Sequence, residues 1–119
     1  MQSLNIPKKV EKPWGWELWI ALSEHYAGKI LHINAGESLS LQFHKIKDES
    51  IYVLKGLLIL EIQENESLKK MELKEGECFR ITPGTIHRFK SSSGCDIIEV
   101  STPHLEDVVR LEDKYGRVK

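Results

Sequence analysis

The sequence predicts an all-β fold, an antiparallel sandwich or barrel, from three observations. Short strand-like runs recur from one end of the chain to the other, turn-forming residues separate them, and apolar and polar side chains alternate within several runs. Only residues 105–115 have a helical pattern, so one short C-terminal helix is expected. The expected strands are residues 18–22, 27–33, 39–44, 50–55, 57–63, 68–73, 78–81, 87–90 and 96–101.

The composition predicts one domain spanning residues 1–119. At 13.7 kDa and 40% hydrophobic residues, the chain can bury a core, and a net charge of −1 argues against nucleic acid as a partner. No apolar run approaches the length of a membrane span, and the first ten residues hold no apolar signal segment. A cytoplasmic protein without a membrane partner is therefore expected, with Cys78 and Cys95 as reduced thiols.

The run 27–33 places a lysine on an otherwise apolar face. Lys29, Leu31 and Ile33 are two residues apart and share one side of the strand, which would normally face inward. An inward Lys29 needs an anionic partner, which a substrate could supply. The alternative is that Lys29 reaches out to solvent.

The run 39–44 has a polar face, carrying Gln42 and His44, and an apolar face. If the polar face points into a cavity, the apolar side chains need cover from outside. The Trp-rich segment 13–19 and a second subunit are the candidates, so a homodimer is expected. The alternative orientation puts the apolar face in the core and Gln42 and His44 in solvent. The apolar face consists of Leu39, Leu41 and Phe43.

The spacing of polar residues and glycines across the chain resembles the two-part signature of the cupin superfamily. The first part is Gly36, Gln42-Phe43-His44, Glu49 and Gly56, and the second is Gly76, Thr82-Pro83-Gly84 and His87. Gln42 stands where a histidine is commonest in that superfamily, whose fold is a double-stranded β-helix, or jelly-roll barrel.

The chemistry of these positions indicates a metal site. Gln42 and His44 project from one face of a strand, Glu49 begins the returning strand, and the Gly84 turn directs His87 from a third side. Two imidazoles, a carboxylate and an amide oxygen suit a divalent ion such as Zn²⁺, Fe²⁺, Mn²⁺, Co²⁺ or Ni²⁺. Ligand type does not choose among these ions, and Zn²⁺ is the one we expect. The alternative is that His44 and His87 are ordinary, partly buried histidines.

Four further segments narrow the resemblance: residues 12–17, 36–44, 82–88 and 106–117. They resemble the cupin domain of type II phosphomannose isomerases, which usually follows a mannose-1-phosphate guanylyltransferase domain. The resemblance implies metal-dependent isomerisation of mannose 6-phosphate to fructose 6-phosphate, with the metal held by the residues matching Gln42, His44, Glu49 and His87.

Isomerisation of a sugar phosphate also needs a general acid/base and a cationic contact for the phosphate. The candidates for proton transfer are Lys29, Asp113 and Arg117, and those for substrate binding are Lys29, Arg110 and Arg117. In the alternative interpretation, Arg110 and Arg117 are surface charges paired with Glu106 and Asp113.

Two other functions remain open at this point. Two histidines and one carboxylate also form the ligand set of non-haem iron oxygenases. A non-catalytic module that binds a sugar or sugar nucleotide beside a separate nucleotidyltransferase is the other alternative, since fold alone does not decide function.

Overall fold

The computed structural model describes residues 6–117, and that range contains twelve strands and no helix. Within it there is accordingly no helical segment that could span a bilayer. The strands are β1 Lys8–Lys12, β2 Gly15–Leu22, β3 Ala27–Ile33, β4 Glu37–Ser38, β5 Leu41–Phe43, β6 Glu49–Gly56, β7 Leu58–Glu64, β8 Ser67–Leu73, β9 Cys78–Ile81, β10 His87–Ser91, β11 Cys95–Ser101 and β12 Val109–Glu112.

The strands form two antiparallel sheets. The first sheet has the order β1-β2-β3-β11-β6-β9, and the second has the order β12-β5-β10-β7-β8, with β4 also pairing with β10. Strands distant in sequence lie side by side, as β3 and β11 do, which is the arrangement of a jelly-roll barrel. The all-β, double-stranded β-helix prediction is confirmed.

The apolar core lies between the two sheets. Alternation within the strands supplies it, since Leu31 and Ile33 of β3 face Leu58 and Leu60 of β7 within one buried cluster. Gly56 ends β6 at φ +84°, and a Cβ there would lie 2.3 Å from the carbonyl oxygen of Gly94, so this tight turn requires glycine. The other members of the cluster are Trp14, Ile51, Val53, Ile62, Leu73, Ile81, Phe89, Cys95 and Ile97.

Only residues 41–43 of the expected run 39–44 form a strand, β5, and the two-residue strand β4 ends just before that run. Leu41 is buried at 6% exposure, whereas Leu39 lines the internal cavity and packs against the core. Trp14, at 2% exposure, also belongs to the core. The expectation that Leu39 shares an outward face covered by the Trp-rich segment is therefore wrong.

The expected C-terminal helix is also wrong. Residues 109–112 form the edge strand β12, in which Val109 pairs with Phe43 and Arg110 with Gln42. The side chain of Asp107 accepts hydrogen bonds from the backbone of residues 45–47, which ties this segment beside β5. Sheet pairing and this tether outweigh the local helical pattern, and the β-branched Val108–Val109 pair suits an extended chain.

Candidate metal centre

Strand ends from both sheets carry the candidate ligands to one point between the sheets. His44 follows β5, Glu49 begins β6 and His87 begins β10, where it pairs with Gln42. The turn before His87 has Gly84 at φ +85°, and its N–H donates to the carbonyl oxygen of His44 at 2.6 Å. The two histidine-bearing segments are thereby held together by backbone contacts.

His44, Glu49 and His87 form a buried cluster. One ligand atom from each residue lies within 4.8 Å of the others, and the residues are 5%, 2% and 1% exposed. The two imidazole centroids are 5.4 Å apart, and Nε2 of His44 is 3.0 Å from Oε2 of Glu49. The structure thus brings together three of the four predicted ligands in ligand-like positions.

In each imidazole ring, the hydrogen bond made by Nδ1 determines whether Nε2 carries a proton or a lone pair. Nδ1 of His44 donates to the backbone oxygen of Asp107 at 2.5 Å, and Nδ1 of His87 donates to that of Thr85 at 2.8 Å. A carbonyl oxygen only accepts, so in the neutral rings the proton sits on Nδ1 and Nε2 carries a lone pair. This is the arrangement in which protein histidines bind metals.

The inward atoms of the cluster lack hydrogen-bond partners. Nε2 of His87 and Oε2 of Glu49 are buried with no hydrogen bond. Buried polar atoms are rarely left in that state. A divalent cation would coordinate both atoms together with Nε2 of His44, which lies 3.0 Å from Oε2 of Glu49, so the donor set fits a metal ion.

The pKa directions agree with such a site. Burial alone would raise the pKa of Glu49, but His44, Lys47 and His87 outweigh it and hold the pKa at about 2. Burial lowers the pKa of His87. At neutral pH the cluster is therefore one carboxylate with an unprotonated imidazole beside it, the protonation state that metal binding needs.

Gln42 differs from its expected role. Its amide oxygen accepts a hydrogen bond from Oγ of Ser40 at 2.6 Å, and its Nε2 lies 3.5 Å from Nε2 of His44. In this structure Gln42 therefore directs its nitrogen toward the cluster. A half-turn of the amide would present the oxygen, and the Ser40 hydroxyl could then accept from the amide nitrogen.

Asp107 holds the loop between two of the candidate ligands. Its carboxylate accepts from the backbone N–H groups of Lys45, Ile46 and Lys47 at 3.1, 2.7 and 2.8 Å, while its carbonyl holds the ring of His44. These N–H groups, that of Lys47 foremost, lower the pKa of Asp107 to about 2. No local pattern predicts this contact, because it joins segments some 60 residues apart.

A cavity of about 410 Å³ lies beside the cluster. Gln42 and His44 form part of its wall, and charged side chains form much of the rest. The other lining residues are Lys12, Trp14, Glu17, Trp19, Lys29, Leu31, Leu39, Ser40, Lys47, Phe89, Glu99, Leu105, Glu106, Val108, Arg110 and Arg117.

Lys29 points inward, as one of the two sequence interpretations expected. It is 7% exposed, and its Nζ lies 3.1 Å from Oε1 of Glu17, which also accepts from Nε1 of Trp19 at 2.8 Å. Burial opposes ionisation of Glu17, but Lys29 and Trp19 outweigh it and lower the pKa. The anionic partner of Lys29 in this structure is therefore a protein carboxylate.

A second buried lysine links the cluster to the cavity wall. Nζ of Lys47 is 3.0 Å from Oε2 of Glu99 and 3.5 Å from Oε2 of Glu49. Burial would lower the pKa of Lys47, but the two carboxylates raise it. Glu17 and Glu99 were missed as site residues, although Glu99 shares the inward side of β11 with Ile97 and pairs across strands with Lys29. The signal available in the sequence was the alternation that puts Glu99 on the same side of its strand as Ile97.

The remaining residues predicted for substrate binding or proton transfer are divided between the cavity wall and its surroundings. Arg110 and Arg117 line the cavity, and Nε of Arg110 is buried without a hydrogen-bond partner. Asp113 is not among the lining residues. Its carboxylate accepts from Nε and Nη2 of Arg117 at 2.7 and 3.1 Å and from the backbone N–H of the same residue. The structure thus shows Asp113 holding Arg117.

The barrel of two antiparallel sheets, with histidines and a glutamate converging inside it, defines the chain as a cupin. CapF of Staphylococcus aureus, described as a capsular polysaccharide assembling protein, shares this fold with a TM-score of 0.79 and 13% identity over 92% of this chain and 32% of its own. More particularly, the chain belongs to the family described as mannose-6-phosphate isomerase C-terminal, which matches residues 1–113.

The curated relatives are longer proteins, and each matches this chain over part of its own length. Mannose-1-phosphate guanylyltransferase ManC of Salmonella typhimurium is 36% identical over 96% of this chain and 24% of its own length. Xanthan biosynthesis protein XanB of Xanthomonas campestris is 31% identical over 92% of this chain and 24% of its own. The chain therefore spans about a quarter of the length of these relatives.

Proposed function

We propose that this chain is a metal-dependent sugar-phosphate isomerase that interconverts mannose 6-phosphate and fructose 6-phosphate. The observation that carries the proposal is the buried cluster of two imidazoles and a carboxylate, with His44 at the wall of a cavity that also holds basic side chains. The family description supports this choice of substrate and reaction.

We assign His44, Glu49 and His87 as the metal ligands, with Gln42 as a fourth once its amide oxygen turns inward. Zn²⁺ is the first choice for two nitrogens and a carboxylate, and Mn²⁺, Co²⁺, Ni²⁺ and Fe²⁺ suit the same donors. When bound, the ion would supply Lewis-acid polarisation of the sugar carbonyl and the adjacent hydroxyl. Asp107 keeps His44 in the required tautomer.

The phosphate contact is best assigned to Arg110. Its buried Nε has no partner in the protein, whereas Arg117 is held by Asp113 and Lys29 by Glu17. A guanidinium with unused donors pairs well with a phosphate dianion. Arg117 and Lys29 then add positive charge and hydrogen bonds at the cavity wall.

Proton transfer is assigned to Lys29, which lines the cavity and is paired with an acidic side chain. Paired with the ionised Glu17, its ammonium group can donate to a sugar oxygen during proton transfer between adjacent carbons. Asp113 is reassigned, within this proposal, from proton transfer to positioning Arg117, because both of its oxygens are engaged there. Because an arginine guanidinium does not give up its proton, Arg117 is assigned to substrate binding and not to proton transfer.

We also propose that residues 1–119 act as one domain in the cytoplasm, on a small sugar phosphate and without nucleic acid or a membrane. The shared core of the two sheets supports the single-domain assignment.

The test is to strip metals from the purified chain, reload it with Zn²⁺, Mn²⁺, Co²⁺ or Ni²⁺ in turn, and assay both directions of the reaction. Turnover that depends on the metal is expected, with His87→Ala as the matched inactive control. Absence of interconversion with every metal would contradict the proposal.

A non-catalytic sugar-binding role is the second candidate. It is favoured by the pairing of Lys29, Lys47 and Arg117 with protein carboxylates, which leaves few free groups for proton transfer. Calorimetry that finds sugar-phosphate binding without turnover would support it. Oxygen uptake that depends on ferrous ion would instead indicate an oxygenase.

A further inference from the structure

The proposed isomerisation needs a base that the residues assigned to it do not supply. Interconversion of mannose 6-phosphate and fructose 6-phosphate by proton transfer removes a proton from C2 of the sugar and returns one to C1. Lys29, Arg110 and Arg117 present cations to the cavity, and an ammonium or guanidinium group has no lone pair with which to take a proton from carbon. The base must therefore be another side chain at the cavity wall.

Three carboxylates line the cavity, those of Glu17, Glu99 and Glu106. Glu106 is exposed, and water weakens an exposed carboxylate as a base because it stabilises the ionised form. Glu17 holds Lys29, since its Oε1 accepts from Nζ of that lysine and from Nε1 of Trp19. The remaining carboxylate is that of Glu99, which is 5% exposed.

Glu99 has one oxygen engaged by the protein and one left for the cavity. Its Oε2 accepts from Nζ of Lys47 at 3.0 Å, and no residue in the described part of the chain donates to its Oε1. Burial raises the pKa of Glu99, while Lys47 and Lys29 oppose that rise. The lysines favour the ionised form, and burial makes this carboxylate a stronger base than an exposed one.

Lys47 fixes Glu99 beside the ligand cluster. Its ammonium group bridges the two carboxylates, with Nζ 3.0 Å from Oε2 of Glu99 and 3.5 Å from Oε2 of Glu49. Glu99 also pairs across strands with Lys29, so the proton donor and this carboxylate lie on adjacent strands at the cavity wall. A sugar whose C1 and C2 lie near the candidate ligands therefore has Glu99 and Lys29 as neighbours.

We propose that Glu99 is the general base of the isomerase, an inference that rests on the proposed function. Oε1 of Glu99 takes the proton from C2 of open-chain mannose 6-phosphate, and the electron pair of that C–H bond forms the C1–C2 double bond. The carbonyl oxygen on C1 takes a proton from the Lys29 ammonium group. Glu99 then returns its proton to C1, and the hydroxyl proton on O2 passes to Lys29 as the C2 carbonyl forms. Both side chains end in their starting states.

The test is the metal-loaded variant Glu99→Gln, which keeps the size of the side chain and an oxygen that can accept from Lys47. Its kcat should fall about 100- to 10,000-fold, the contribution of a general base, while KM changes by less than about 3-fold. Glu99→Asp restores a carboxylate and should have a kcat at least about 10-fold above that of Glu99→Gln. Calorimetric binding of mannose 6-phosphate and the metal content should match the wild type in both variants.

Asp96→Asn is the matched control. Asp96 lies on the same strand as Glu99, contacts His32 and is not among the residues that line the cavity, so kcat should not change. A wild-type chain that turns over while Glu99→Gln keeps kcat within about 10-fold would overturn the assignment of Glu99 alone. Loss of metal or of sugar binding in Glu99→Gln would also overturn it, by showing a structural role. A wild-type chain without turnover would overturn the proposed function and this inference together.

Discussion

Around the cavity, the first sheet has charged side chains on its inner face and apolar side chains on its outer face, the opposite of the usual distribution. Along β2, β3 and β11, charged residues point inward while their immediate neighbours in the chain are apolar and point outward. Farther along the same inner face, Leu31 and Ile97 return to an apolar core. The inward charged set is Glu17, Lys29 and Glu99, and the outward apolar set is Leu18, Ile30 and Ile98.

This difference shows that the alternation of side chains identifies the two faces of a sheet but does not tell which face lines a polar cavity. Buried charges are costly unless paired, and here each inward lysine has a carboxylate at about 3 Å: Lys29 with Glu17 and Lys47 with Glu99. The pairs make a charged interior tolerable beside a ligand site. The outward apolar residues Leu18, Ile30 and Ile98 are half-buried on the side of the sheet away from the cavity.

The largest expected effect comes from substituting the candidate ligand His87. Its neighbour in the chain, on the opposite face of β10, provides the control. His87→Ala should weaken Zn²⁺ binding at least about 1,000-fold, because a complete zinc site is worth on the order of 10–16 kcal/mol and loses one of its donors. Arg88→Ala, next in the chain but paired with Glu61 on the other face, should leave the affinity unchanged. Competition with a chromogenic chelator measures both. Equal affinities would contradict the assignment of His87.

The inner charged set can be tested through stability. Glu99→Ala should lower the free energy of unfolding by about 3 kcal/mol, because it removes the closest carboxylate partner of the buried Lys47. Val100→Thr, one residue on and 57% exposed, should change it by less than about 1 kcal/mol. Urea denaturation at equal protein concentration gives both values. Similar losses in the two variants would remove the distinction between the faces.

The pH dependence of the metal-free protein should report Glu49. The folded-state pKa of this acid is about 2, below its ordinary value of 4.5. Its ionised form therefore stabilises the fold fully above pH 4.5, and that contribution is lost as the pH falls from 4.5 toward 2. The free energy of unfolding should fall by about 2–3 kcal/mol more in the wild type than in Glu49→Gln across this window.

Glu72→Gln on the exposed strand β8 is the control for this titration and should follow the wild-type curve. Parallel curves for wild type and Glu49→Gln would show that the carboxylate is not stabilised in the fold. The metal-free state is required, since a bound cation would add its own pH dependence.

The smallest expected effect concerns the substrate end of the cavity. Arg110→Ala should raise KM for mannose 6-phosphate about 10-fold, as expected for the loss of one charge-assisted contact. Catalysis on unphosphorylated mannose, where measurable, should not change. Arg80→Ala removes an exposed arginine paired with Asp48 and serves as the control. Equal effects of Arg110→Ala on both sugars would argue against a phosphate contact.

The sequence predicted those features that depend on short-range spacing. The interval from His44 to Glu49 and the turn before His87 predicted that these three donors converge, and in the structure they lie together. Alternation in β3 left two orientations open for Lys29, of which the structure has the inward one. Contacts between distant segments were not accessible. The carbonyl of Asp107 that fixes the His44 tautomer, and the carboxylate of Glu17 that pairs with Lys29, depend on strand register rather than on local pattern.

Two local interpretations failed because tertiary pairing outweighed intrinsic preference. Residues 105–115 have a helical pattern, yet the edge of the second sheet offers β12 a strand partner in β5. The charged strand β1, Lys8–Lys12, lacks apolar alternation and was not predicted, although it pairs along its whole length with β2. The amide orientation of Gln42 depends on Ser40, two residues away but outside β5.

The tether formed by Asp107 has a consequence for any recombinant form of this domain. A chain that stops before residue 107 would keep all four candidate ligands. It would lose the Asp107 carbonyl that orients the His44 ring and the Asp107 carboxylate that accepts from the backbone of the loop after His44. Such a fragment could retain most of its barrel and still bind zinc poorly. The C-terminal boundary that this contact sets for the domain therefore lies well beyond His87, the last of the candidate ligands.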